Sequence, residues 1–436
     1  MKTVAFHTLG CKVNQYETEA MEELFEKEGY SIIESDNLAD IYVINTCTVT
    51  NLSDRKSRQF IRKAKRLNED SIIAVVGCYS QISPSEVANI EGVDVIIGTS
   101  ERNKIVELCE QAKLTHSVIN IVRSIKNDNE FEKIDVNDIK SKTRAYIKIQ
   151  DGCNQYCTYC IIPYARGPIR SRQIEDIIHE TEILADAGFK EIILTGIHVA
   201  SYGKDLEDID LKQVIKRIGK INGIERIRLS SLEPNLIDEN FMKTIVEEKK
   251  VCDHFHLSLQ SGSDSVLKRM NRKYTTEEYK EKVDLIRKYM PNAGITTDII
   301  VGFPGETEEE FQETLDFVKN IHFSKIHVFK YSIREGTPAA KYADQVNGLI
   351  KNQRSEILIQ LGDNLTREFN HNFINTSMDV LYEETSKVDE LAFEGYTTNY
   401  IRVRSRYKTI NNPIGNLYKT NIIDANQEFL LGTIEQ

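Results

Sequence analysis

Nowhere in the 436 residues does an apolar run reach the length of a membrane span, so no bilayer-crossing helix is expected. The opening MKTVAFHTLGCKVN turns polar too soon for a signal peptide and reads instead as a buried strand. Cysteine is sparse. Its 8 residues cannot staple a disulfide scaffold of this size, and in a reducing compartment clustered thiols are metal ligands or redox groups. A cytoplasmic location and no membrane partner are expected. Positive charge is in deficit, with a formal net charge of −11. That argues against a protein coating nucleic acid without specificity, and leaves room for a local basic patch. Hydrophobic content of 40% and charged content of 28% suit a globular chain, and the length accommodates about three domains, each with a core.

What the chain does have is concentrated in Asp151 to Arg172, DGCNQYCTYCIIPYARGPIRSR, where Cys153, Cys157 and Cys160 are spaced C-x3-C-x2-C. Three thiolates on one short loop can hold three irons of a four-iron cluster and leave the fourth open. Such clusters normally take four cysteines, so a deficit of one is informative. The competing reading is structural zinc, which wants four protein ligands at finger-like spacing. The loop has no His, and His179 downstream falls in an expected helix. The spacing resembles the radical S-adenosylmethionine (SAM) signature, in which the open iron chelates SAM, and Tyr159 stands where an aromatic residue flanks the cofactor.

Residues 1–114 alternate β-like runs (Thr3 to Leu9, Asp40 to Asn45, Ser71 to Val76, Asp94 to Ile97) with helical patterns (Tyr16 to Glu28, and Ser53 to Leu67 capped at Ser53). This predicts an α/β sandwich with a parallel sheet. Cys11, Cys47 and Cys78 follow the first three strands. Carboxyl ends of parallel strands share one edge, so these thiols converge into a second set, again one ligand short. Each alone could be a buried small hydrophobe, the reading given to Cys109 and Cys252. Residues 115–143 lose periodicity and read as a linker, or a surface strand with loop. Residues 144–370 then carry six β-like runs spaced for intervening helices, a partial TIM-like (βα)6 barrel with its site at the strands' carboxyl ends. Candidate cofactor contacts there are Thr195, Gly196, Ser231, Glu233 and Gln260, with the turn Gly302 to Glu306; ordinary turn chemistry is the alternative. Residues 371–436 change to short strands, a small β-barrel. There YIRVRSRY (400–407) sets Arg402, Arg404 and Arg406 on one strand face, with Tyr400 and Tyr407 placed for base stacking. A solvated edge strand is the plainer reading. The basic run Arg55 to Arg66 suggests an anionic substrate, against a merely solvated helix face.

Three pieces in order, LGCKVNQYE (9–17) with NTCTV (45–49) and VGC (76–78), then the cysteine loop with SSLEP (230–234), HLSLQSGSDSVLKRMNR (256–272) and GFPGE, then the terminal β-barrel, resemble the methylthiotransferase family of radical SAM enzymes along essentially the whole chain. The resemblance implies an auxiliary 4Fe–4S cluster on Cys11, Cys47 and Cys78, a SAM-binding one on Cys153, Cys157 and Cys160, and a C-terminal TRAM domain. It further implies cleavage of one SAM to a 5′-deoxyadenosyl radical, C–H activation, sulfur delivery at the auxiliary cluster and a methyl group from a second SAM. A low-potential electron donor of the ferredoxin or flavodoxin type and a sulfur donor would be partners, with tRNA. The first motif resembles the branch acting on N6-threonylcarbamoyladenosine beside the anticodon (position 37). The branches acting on isopentenyladenosine, or on an aspartate of a small-subunit ribosomal protein, read differently there. A non-catalytic, zinc-containing RNA-binding protein is the reading of another class. The threonylcarbamoyl carboxylate calls for a basic residue near the barrel mouth, with Arg166, Arg170, Arg172, Arg269, Arg272 and Lys273 as candidates.

Overall fold

The computed structural model describes residues 2–134, 143–406 and 412–435. Strands β1 (Thr3–Thr8), β2 (Ser31–Ile33), β3 (Ile41–Thr46), β4 (Ile72–Gly77), β5 (Val95–Ile97) and β6 (Ile119–Asn120) form one parallel sheet ordered β2-β1-β3-β4-β5-β6. Central β3 and β4 are buried along their whole length, which is why they read as unbroken apolar runs rather than alternating ones. Helix α1 (Lys12–Lys27) packs Met21 and Phe25 on one face of the sheet, beside helix Ile105–Thr115. Helix α2 (Asn51–Leu67) packs Ile61 and Ala64 on the other. Two boundaries differ from expectation. Gly10, at φ +111°, turns the chain so sharply out of β1 that α1 starts at Lys12 rather than Tyr16. The cap of α2 is Thr50, whose hydroxyl accepts from the Ser53 amide at 3.2 Å, so Ser53 lies inside the helix.

The stretch expected as a linker does more than connect. Its β6 extends the sheet, Ile125 and Ile134 are buried, and Glu132 accepts from Arg102. Residues 135–142 lie outside the described residues.

Next come β7 (Arg144–Asp151), β8 (Arg170–Ser171), β9 (Glu191–Gly196), β10 (Arg226–Leu229), β11 (His254–His256), β12 (Gly294–Val301) and β13 (Lys325–Lys330). β7-β9-β10 and β11-β12-β13 are parallel triplets, and the bridges Ile227–Val251 and Leu232–Leu257 join them into one open arc of six; β8 pairs antiparallel with the end of β7. Ala145, Ile147, Ile149, Ile192, Leu194, Phe255 and Leu257 pack outward among the helices. By the period of two, the inside is left to Tyr146, Lys148, Gln150, Arg228, His256 and Asp298. This barrel is lined for a polar ligand.

Helix Gly348–His371 leads to β14 (Ser377–Thr385), β15 (Ala392–Thr397), β16 (Arg402–Arg406), β17 (Leu417–Ala425) and β18 (Leu430–Ile434), a closed barrel ordered β14-β15-β16-β18-β17. It docks on the amino ends of the central strands. Arg226 donates to the Tyr396 and Asp379 carbonyls at 2.9 and 2.7 Å, Arg228 to those of Thr398 and Thr397 at 2.8 and 3.1 Å, and Arg144 pairs with Glu383 at 2.7 Å. The α/β class with its three-part architecture is therefore as expected. No described helix is long and apolar enough to cross a membrane.

Candidate functional site

The cysteine loop leaves β7 through Gly152, whose φ is +72° and where a Cβ would lie 1.8 Å from the Pro168 carbonyl oxygen, a position only glycine fills. Asp151 Oδ1 accepts from the Gly152 amide at 2.8 Å, and the Cys153 amide donates to the Gly167 carbonyl at 3.0 Å. Thr158 holds the far side, its amide donating to the Met270 carbonyl and its hydroxyl to that of Arg269. The three thiols sit within electrostatic reach of one another. Burial pushes Cys153 up to about 11 and Cys160 up to about 12. Thiols in such a site stay neutral near pH 7 unless a cation compensates the thiolate. Arg272 supplies part of that charge, donating from Nη1 to Cys157 Sγ at 3.4 Å.

Cys11, Cys47 and Cys78 also meet. A Cβ at Gly10 would lie 2.8 Å from Cys47 Cβ, and Cys78 feels both other thiols. The convergence is enforced by asparagines of the flanking motifs. Asn14 Nδ2 donates to the Leu9 and Thr46 carbonyls at 2.8 and 2.9 Å, and Asn45 Nδ2 to the Asn14 carbonyl at 2.9 Å. Burial pushes Cys78 up to about 12. Arg166 Nε donates to its sulfur at 3.3 Å.

Arg166 links Cys78 to Asp151, the residue from which the other cysteine loop departs. It stands six residues past Cys160, fully buried, and donates from Nη2 to Asn14 Oδ1 at 2.7 Å and Glu17 Oε2 at 3.0 Å, and from Nη1 to Asp151 Oδ2 at 3.3 Å. Lys148 Nζ reaches Glu17 at 2.7 Å and Asp151 at 2.5 Å, Arg102 reaches Glu17 at 3.1 Å and Glu132 at 2.6 Å, and Arg170 reaches Asp151 at 3.7 Å. Desolvation works against ionising Glu17, but Arg102, Arg166 and Lys148 override it and hold its carboxyl down to about 2. Within this network Arg102, Lys148, Arg166 and Arg170 face Glu17, Asp151 and Glu132. The surplus positive charge lies against Cys78.

The donor sets fit iron–sulfur clusters. Three thiolates per set leave one iron of a four-iron cluster open in each. The surroundings also fit a polar cofactor. Thr195 and Gln260 are buried at strand ends, and the buried Ser230 hydroxyl has no hydrogen-bond partner among the described residues. Gly196 is held against Gln150. Glu233 accepts from Arg272 at 2.6 Å, so the SSLEP turn is tied through Arg272 to Cys157. Tyr159 packs in a small cluster with Val266, Met270 and Phe303. Ser231 is exposed. Glu306 of the GFPGE turn accepts from the Gly302 amide and pairs with Arg354, a structural duty.

The nominated carboxylate readers fare differently. Arg166 and Arg170 belong to the buried network, Arg172 pairs with Glu180, Arg269 with Glu310 at 2.6 Å and Arg272 with Glu233, each already neutralised; Lys273 is exposed. Position near the loop was the signal for them, and their partners came from distant segments. Asn14 lies one helical turn from Cys11 and Glu17 one turn from Asn14, a spacing that links them only in steps, and neither is among the residues expected from the sequence. Cys109 and Cys252 are fully buried packing residues, as expected. Tyr400, expected for base stacking, has φ +67° and lies instead against Tyr396, Arg144 and Arg228, part of the docking surface between the two barrels; β16 starts only at Arg402. Tyr407 lies outside the described residues.

Residues 147–318 match the radical SAM superfamily, and residues 3–98 match a family described as Uncharacterized protein family UPF0004. The threonylcarbamoyladenosine tRNA methylthiotransferase MtaB of Bacillus subtilis (strain 168) is 46% identical, over 98% of this chain and 94% of its own. The tRNA-2-methylthio-N(6)-dimethylallyladenosine synthase of Alkaliphilus oremlandii (strain OhILAs) is 39% identical, over 98% and 92%. Among solved structures, the radical S-adenosylmethionine methyltransferase TsrM from Kitasatospora setae shares the fold at a TM-score of 0.57 and 16% identity, over 78% of this chain and 77% of its own. The chain belongs to the methylthiotransferase family of radical SAM enzymes, whose cofactors are SAM and 4Fe–4S clusters.

Proposed function

We propose that this protein transfers a methylthio group to C2 of N6-threonylcarbamoyladenosine beside the anticodon of tRNA, as the name of its Bacillus subtilis relative describes for that protein. The observation that carries the reading is the pair of three-cysteine sets, with the buried Arg166 donating to Cys78 of one and to Asp151 at the start of the other's loop. When bound, the clusters and SAM supply radical C–H activation, sulfur and methyl. The chain's own residues hold and shield them. Cys153, Cys157 and Cys160 hold the SAM-binding cluster and Cys11, Cys47 and Cys78 the auxiliary one. Thr195, Gly196, Gln260 and Glu233, with Tyr159, form the wall for SAM; Ser231 sits at its rim. Arg166 and Arg272 donate to one sulfur in each set, a contact that tunes cluster potential. A ferredoxin- or flavodoxin-type reductant, a sulfur donor and a cytoplasmic setting complete the reading. The division at 1–114, 115–143, 144–370 and 371–436 is retained, with β6 and Glu132 of the second piece attached to the first.

Nucleoside mass spectrometry on tRNA from cells lacking the activity, with and without this gene, tests it. A methylthio increment on threonylcarbamoyladenosine is the expected result. An increment on isopentenyladenosine would transfer the protein to that branch, and no tRNA change would point to the ribosomal aspartate.

Two surfaces are proposed for tRNA. On α2, Arg55, Lys56, Arg62 and Arg66 are exposed, with no ion pair among the described residues, whereas Arg58 pairs with Glu86 and Lys63 with Asp36. On β16 the three arginines separate. Arg406 and Arg402 keep side chains 73% and 40% exposed beside Asp389 and Glu394, while Arg404, at 18%, is bonded to Glu394 and stacked on Phe429. Unpaired cations release more counterions on binding phosphate than paired ones. Replacing Arg55, Arg62 and Arg66 with Ala should therefore flatten the log–log salt dependence of tRNA binding by about 2. Replacing Arg402 and Arg406 should flatten it by no more than about 1. Equal slopes for both variants and the wild type would remove these surfaces from the interface.

A further inference from the structure

Lys12 follows Cys11 directly, and its ammonium lies beside β7, near the surface on which the terminal barrel docks. It lies 6.0 Å from the ring of Tyr146 on β7 and 5.9 Å from that of Tyr400, and its charge is felt by His254 on β11 and His327 on β13. Its other charged neighbours are Arg144, Arg228 and Glu191. Glu191 is already taken, accepting from Arg228 at 2.7 and 3.1 Å, and Asp298 lies 3.3 Å from His256. The buried arginine and lysine of this wall have carboxylates, Arg144 with Glu383 and Lys148 with Glu17 and Asp151, and buried His254 is bonded to Thr296. Among the described residues Lys12 pairs with none. A part-buried ammonium among cations and aromatic rings is poorly solvated, and an incoming anion gains what a surface lysine would not offer.

We propose that Lys12 binds the carboxylate of the threonylcarbamoyl group and so selects an acidic over a neutral adenosine substituent. This rests on the substrate reading above and names the residue that enforces it. It replaces the six candidates nominated from the sequence, five of which are neutralised within the chain. Because Lys12 adjoins a ligand of the auxiliary set, the same contact would anchor the base beside the group that supplies sulfur. Lys12 thus acts as a specificity residue that touches substrate.

The test uses cluster-loaded enzyme and two anticodon stem-loop RNAs, one carrying threonylcarbamoyladenosine and one in which the threonyl carboxylate is a primary amide. Binding is read by fluorescence anisotropy, product by nucleoside mass spectrometry, and iron per chain is measured for every variant. Wild type should bind the acid roughly ten- to a hundredfold more tightly than the amide, the range of a hydrogen-bonded charge pair. Lys12→Gln should lose that ratio through weaker binding of the acid, and Lys12→Arg should keep most of it. A wild type indifferent to acid and amide, or a Lys12→Gln variant that keeps the ratio or weakens both RNAs equally at normal iron content, overturns the proposal. Retained binding preference without product from either RNA would instead sink the substrate reading and leave the carboxylate site standing.

Discussion

Cys157→Ala should abolish methylthiolation, with turnover falling at least about a thousandfold, because under the proposed assignment it removes a ligand of the SAM-binding cluster and with it the radical chemistry. Cys157 is buried, and its sulfur is the one that receives the Arg272 guanidinium. The variant's iron falls by about half, since the set on Cys11, Cys47 and Cys78 remains intact. Cys109→Ala is the matched control. Cys109 is equally buried, packed among Ile105, Leu108 and Ala112, and its loss costs only the packing of a small side chain. Iron quantitation with nucleoside mass spectrometry reads both. A Cys157→Ala protein with full iron, or a Cys109→Ala protein with half, would mean that the cysteine assignments are wrong.

Arg166→Met destabilises the folded chain by about 3–5 kcal/mol, the range for removing one partner from a buried charge network. The guanidinium is fully buried and donates to Glu17 and Asp151 together, and both carboxylates would lose a charged hydrogen-bond donor inside a buried site. The auxiliary set suffers in particular. Cys78 loses its donor and Asn14, which pins the ends of β1 and β3 together, loses its Oδ1 partner. Denaturant unfolding of the anaerobic protein, with iron per chain as the second readout, measures both. Adding Glu17→Gln should recover part of the loss, because the two residues interact directly and their effects are not additive. Arg166→Lys keeps the charge without the fork that spans Asn14 and Glu17, and should fall between Met and wild type. Unfolding within about 1 kcal/mol of wild type at full iron, where a surface substitution would lie, would show that the network does not hold the two cysteine sets together.

The elements carrying chemistry were readable because their signals are local. Cys153, Cys157 and Cys160 fall within one short loop, so their number and spacing favour an incomplete four-iron set over a four-ligand zinc site. Strand ends were readable for a related reason. β3 and β4 are buried on both faces and therefore continuous in Ile and Val, and the cysteines that follow parallel strands must meet at one edge. The cap of α2 was misplaced by three residues because Thr50 and Ser53 are both good caps, and only the extended backbone at Thr50 decides between them.

What the sequence by itself determined is the chemistry: two incomplete thiolate sets, their order along the chain, and the α/β architecture that delivers them to strand ends. Charge pairing is what only the tertiary structure decided. Arg166 and Glu17 are separated by 149 residues, and Arg144 and Glu383 by 239. No periodicity links such partners, because a buried ion pair is selected by the three-dimensional path of the chain and by desolvation once water is excluded. The same rule explains why the basic residues nearest the cysteine loop are spoken for within the protein. It also explains why Lys12, an ordinary helix-start lysine on paper, is left facing the barrel without an anion.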